Sequence, residues 1–78
     1  MIKDMKGVLA MAYEVKCNMA DGKVLTVTLY ADSNSEVVTM MKGYLLGKGD
    51  PVLKGKTAEG AVEYLNVQRI NTFTFEKL

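Results

Sequence analysis

The chain has 78 residues, 49% hydrophobic and 24% charged, and its ten basic and nine acidic side chains leave a formal charge of +1. That balance describes one globular domain rather than a disordered chain. The small net charge argues against a dedicated duplex-DNA binder, whose affinity rests on many phosphate contacts. There is no histidine and one cysteine. This removes the commonest general base, the usual zinc ligand set, cysteine catalysis with a histidine base, and an internal disulfide. No catalytic residue, metal site or cofactor is therefore expected, and the single cysteine points to a reducing, cytoplasmic setting.

Met1 to Gly7 is short and mixed, with charges at Lys3, Asp4 and Lys6 ahead of any apolar stretch. It is expected to be an N-terminal arm, frayed or ordered by a partner, with residues 8–78 forming the single domain. No run is apolar for long enough to suggest a membrane span, and no secretory signal is expected.

The domain is organised around a hairpin from Val8 to Asp32. The odd positions from Leu9 to Met19 are apolar, while Glu14, Lys16 and Asn18 between them are polar. Such alternation marks a half-buried strand. In the second run Leu25, Val27, Leu29 and Ala31 share one face, with Val24, Thr26, Thr28 and Tyr30 on the other. A two-residue Asp21-Gly22 turn would set Cys17 against Thr26, mixing the two faces. A three-residue loop, Ala20-Asp21-Gly22, instead pairs Cys17 with Leu25, Val15 with Val27, Tyr13 with Leu29 and Met11 with Ala31. Gly22 then takes the left-handed position of a type I turn with a bulge. Cys17 reads as a small buried hydrophobe rather than a reactive thiol, with Lys16 pointing the other way.

Ser33 and Glu36 form a capping box at a helix start. Val37, Met40, Met41, Tyr44 and Leu45 continue it as one apolar stripe. Gly43 inside that helix would let it lie close to the sheet, and Gly47 to Pro51 ends it. Val52-Leu53 reads as a short edge strand or an apolar clip onto the core. Thr57 to Leu65 fits either a helix capped by Thr57 or a strand from Ala61 to Asn66, and we take the strand. A tight turn near Val67-Gln68 and a strand from Arg69 to Lys77 follow, with Phe73 and Phe75 on one face and Thr72 and Thr74 on the other.

The expected fold is α+β, a small mostly antiparallel sheet with one helix on one face, in the order ββαββ. Its uncovered face carries Glu14, Lys16, Thr26, Thr28, Tyr30, Thr72 and Thr74, and it is expected to bind a protein partner or a second copy. Small adaptors and inhibitors, including those carried by mobile elements, are built at this scale.

The alternative site is the glycine- and lysine-rich segment 47–57, where Lys48, Lys54, Lys56 and Thr57 would contact a small anion or nucleic acid. Gly55-Lys56-Thr57 has the ending of a phosphate-binding P-loop. The glycine required five positions earlier is Asp50, however, and the segment follows a helix rather than a strand, so that motif is rejected. Aromatic interleaving is expected to be poor there, because Tyr44 and Tyr64 both have core-facing readings.

Overall fold

A computed structural model describes residues 10–78. The expected arm over 1–7 and the start of the hairpin lie outside the described residues. The elements are β1 (Met11–Met19), β2 (Val24–Ala31), α1 (Asn34–Leu45), β3 (Val52–Lys56), β4 (Val62–Asn66), a 3-10 turn (Val67–Arg69) and β5 (Ile70–Lys77). The fold is α+β, as expected, but the order is ββαβββ. The segment Val52-Leu53 belongs to a full strand, β3, so five strands form the sheet rather than four. None of the described helices is long and apolar enough to cross a membrane.

The first hairpin has the anticipated register: Cys17 opposes Leu25, Val15 opposes Val27, Tyr13 opposes Leu29 and Met11 opposes Ala31. Gly22 sits at φ +92°. The turn is closed by the Met19 N–H on the Lys23 carbonyl (2.8 Å) and the Gly22 N–H on the Met19 carbonyl (3.0 Å). Only glycine takes that conformation without a Cβ penalty.

The ambiguous stretch repeats this device. Thr57-Ala58-Glu59-Gly60-Ala61 makes the same five-residue turn, with Thr57 N–H on the Ala61 carbonyl and Gly60, at φ +90°, on the Thr57 carbonyl, both at 2.9 Å. Residues 57–61 are therefore the turn of a second hairpin, and Thr57 starts no helix. Its Oγ1 accepts from the Ala61 N–H at 3.1 Å.

At the start of α1, Ser33 is the N-cap and its Oγ accepts from the Glu36 N–H at 3.2 Å. The Glu36 carboxylate reaches back to the Asp32 N–H rather than to that of Ser33, so the box closes one residue early. The helix ends in a Schellman motif, with the Gly47 N–H on the Tyr44 carbonyl and the Lys48 N–H on that of Gly43. Val37 and Met41 are fully buried, and Met40 and Tyr44 pack partly against the core. The Tyr44 ring covers Gly49, leaving no room for a Cβ there.

Gly43 does not serve close packing, since a Cβ there would meet nothing within 4 Å. Its replacement by alanine is expected to raise stability by about 0.5–1 kcal/mol, the helix-propensity difference. Chemical denaturation checks this, and an unchanged or lower midpoint would mean that the position has a use the geometry does not reveal.

The strand order is β4-β3-β2-β1-β5, with every neighbouring pair antiparallel. The strands joined by the short turn, β4 and β5, thus lie at opposite edges instead of pairing. In a flat sheet four inter-strand gaps would separate them by about 19 Å. The four residue steps from Asn66 to Ile70 span at most about 14 Å. The sheet must therefore curl, bringing its edges together at one end. Contacts at that end agree: the Ala20 N–H donates to the Arg69 carbonyl (2.8 Å), and the Val67 N–H donates to the Pro51 carbonyl (3.0 Å). Lys23 Nζ donates to Glu63 Oε1 at 2.8 Å, tying the first turn to β4 and holding the ammonium pKa above its ordinary value.

Inside the curl lies one core. Tyr13, Val15, Cys17 and Met19 from β1 meet Leu25, Val27, Leu29 and Ala31 from β2, closed by Leu53, Leu65 and Val67 and covered by α1. Phe75 adds an edge-on ring contact to Tyr13, with centroids 6.2 Å apart.

Candidate functional site

Because strand side chains alternate, burying this core forces a second set of side chains onto the opposite surface. The five strands align that set into cross-strand rows. One row runs across the whole sheet: Thr74 on β5, Lys16 on β1, Thr26 on β2, Lys56 on β3 and Val62 on β4. Beside it, Glu14 opposes Thr28 on one side and Glu76 on the other, and Lys54 opposes Tyr64. Next to Lys16 along the other direction, Asn18 opposes Thr72, and its Nδ2 donates to Thr72 Oγ1 at 3.0 Å.

The surface is hollowed. A shallow groove of about 780 Å³ is lined by Glu14, Lys16, Thr26, Thr28, Lys54 and Lys56, with Val24, Thr57 and Ala58 completing its wall. A smaller recess over Glu14, Lys16, Thr74 and Glu76 adjoins it toward β5.

The two residue sets drawn from the sequence therefore meet. Glu14, Lys16, Thr26 and Thr28 from the sheet-face set share the groove with Lys54, Lys56 and Thr57 from the loop set. They meet because the segment read as a loop is a strand hydrogen-bonded to β2. Tyr30, Thr72 and Thr74 are exposed on strands bordering it. Lys48 is not part of it, for it lies in the cap of α1 with its N–H bound to the Gly43 carbonyl.

The face also holds residues the sequence reading missed or placed elsewhere. Tyr64 is not core-facing: it is 67% exposed, and Leu65 beside it is the buried residue. Val62 and Glu76 join it outside, next to Val24, which alternation had already placed on that face. The alternation of Leu53-Lys54-Gly55-Lys56 was the available signal for β3, with the glycine on the inward side masking the pattern.

The groups gathered here are ammoniums, hydroxyls, phenols and carboxylates in contact with solvent. They suit hydrogen bonding, charge pairing and stacking. Among the described residues, no cluster of three or more acidic, histidine or cysteine side chains is placed to hold a metal ion. Cys17 lies on the far side of the sheet, fully buried, and burial pushes its thiol up to about 11. Glu14 and Glu76 stand directly opposite each other, a like-charged pair that opposes sheet stability. Compared with protein-family models, curated proteins and solved structures, the chain has no significant match.

Proposed function

We propose that this protein is a non-enzymatic binding module, of the adaptor or inhibitor kind, that engages its partner through the open face of the sheet. One observation supports the reading above the rest. The fold gathers polar side chains from β1, β2 and β3 around one groove on the face that α1 leaves uncovered. A protein partner or second copy and an anionic ligand were the occupants expected from the sequence, on separate surfaces. Apart from Lys48, groove residues come from both sets, and this one surface suits either occupant. Among the described residues the outer edges of β4 and β5 also lack a strand partner, which gives an occupant backbone groups to use at the margin. The buried, unpaired thiol of Cys17 is at home in a reducing, cytoplasmic setting.

Replacing Thr28 and Tyr30 together with glutamate tests this. Both are exposed, Tyr30 at 65%, so the core is left intact, although the carboxylate of Thr28→Glu would stand opposite Glu14 and cost some sheet stability. The wild-type protein, gently purified, is expected to carry its occupant in a native mass spectrum, and the double variant to lose it. Association that survives at full strength in a variant with unchanged melting would contradict the reading.

A further inference from the structure

We propose that the occupant of the groove is a single-stranded nucleic acid, its phosphates held along the Lys16–Thr26–Lys56 row and its bases stacked on Tyr64 and Tyr30. This rests on the open-face reading and names the class of ligand.

The groove carries an excess of positive charge. The groove lining contains three lysines, Lys16, Lys54 and Lys56, against one carboxylate, Glu14, a local balance of +2 in a chain whose formal charge is +1. The outward positions of β2, β3 and β4 (Val24, Thr26, Thr28, Tyr30; Val52, Lys54, Lys56; Val62, Tyr64, Asn66) include no acid at all. The acids Glu14 and Glu76 are confined to the β1–β5 side, where Lys16 is the one outward cation, and the β2–β4 side carries only positive charge.

The lysines are also spaced to share an anion. Lys16 and Lys56 flank Thr26 in one cross-strand row, two inter-strand gaps apart, so their backbones stand about 10 Å from each other. An anion placed over Thr26 meets a hydroxyl below and an ammonium from either side. Lys54 extends the positive ground one step along β3.

Two exposed aromatic rings share the face with the lysines. Tyr64 and Tyr30 are 67% and 65% exposed on the same face, and Tyr64 stands directly opposite Lys54. A phenol ring beside an ammonium is the pairing that takes a base and its phosphate together. A duplex keeps its bases stacked inside and offers neither tyrosine a ring to cover. A protein partner is the less suited occupant, because the centres of protein interfaces are depleted in lysine and the central row here reads Lys-Thr-Lys.

Fluorescence anisotropy with a labelled mixed-sequence DNA or RNA strand of about 12 nucleotides, and the matching duplex, tests the proposal. The single strand is expected to bind about tenfold or more tighter than the duplex. Its affinity should fall with salt at a log–log slope of about −2 between about 50 and about 200 mM, as three lysine contacts imply. Lys16→Glu with Lys56→Glu should weaken binding about tenfold or more and flatten that slope. Tyr64→Ala should weaken it about fivefold or more and leave the slope alone, since stacking is not an ionic contact. Lys42→Glu with Lys48→Glu, off the face, serves as the control.

Absence of binding, or binding that responds equally to the control pair, overturns the proposal. If no strand binds while the Thr28 and Tyr30 double variant still loses a partner, the nucleic-acid assignment falls and the open-face reading stands, with a protein as the occupant. If neither association responds, both fall. Unchanged melting of each variant keeps these outcomes free of folding effects.

Discussion

Gly55→Val is expected to destabilise the protein by about 3 kcal/mol, at the upper end of the cost of overpacking a core. Gly55 is buried on the inward side of β3, where a Cβ would lie 3.2 Å from Leu65 Cδ2 and 3.4 Å from both Leu25 Cβ and the Thr26 carbonyl oxygen. The Leu65 methyl can turn aside. The other two neighbours belong to β2 and already stand at contact distance, so the methyls of valine add bulk against a strand that cannot turn aside. A domain of 78 residues has only about 4–12 kcal/mol of stability in total. A drop in melting temperature of more than about 10 °C is therefore expected by circular dichroism. Gly55→Ala, which only asks Leu65 to move, should cost under about 1 kcal/mol. A valine variant melting with the wild type would mean that β3 does not lie against Leu25, and the groove built on that pairing would go with it.

The second large effect is alkaline. Burial raises the Cys17 thiol from its ordinary 9.0 to about 11. The folded state holds that proton more tightly than the unfolded chain, so the contribution is complete below pH 9 and is lost as pH rises through 11. At the top of that window the loss amounts to about 2 kcal/mol. Urea midpoints of wild type and Cys17→Ala measured from pH 8 upward isolate it, because the tyrosines and lysines are common to both. The wild-type advantage should shrink by that amount, whereas parallel curves would contradict full burial. The same thiol should resist alkylation at neutral pH until the chain is unfolded.

The parts of the fold that were legible in the sequence share a cause. In the first hairpin, the inward residues Met11, Tyr13, Val15 and Cys17 each have an apolar partner in β2, so a one-residue slip had a visible cost and the loop length followed. The helix announced itself through Ser33, Glu36 and a stripe whose centre, Val37 and Met41, is fully buried. What escaped depended on contacts distant in sequence. β3 carries a glycine at its inward centre because Leu25 and Leu65 crowd it, and that glycine broke the alternation by which strands are recognised.

The second turn carried the same signal as the first, Ala58-Glu59-Gly60 echoing Ala20-Asp21-Gly22, but Thr57 resembled a helix cap and hid it. That β4 and β5 stand at opposite edges, with the sheet curled to join them, depends on the whole strand order, which no local pattern encodes. The site divides in the same way. Its β1 and β2 members followed from alternation. Their meeting with Lys54 and Lys56, and the outward turn of Tyr64, required the strand order.

The central claim is that the open sheet face is what the occupant covers, and a lysine acetylation footprint tests it most directly. The gently purified complex and the stripped protein would be labelled side by side and read by mass spectrometry, residue by residue. The account predicts that Lys16, Lys54 and Lys56 are protected together in the complex, with Lys42 and Lys48 labelled at the same rate in both. Protection of Lys42 and Lys48, with the three groove lysines fully labelled, would place the occupant near α1 and contradict it.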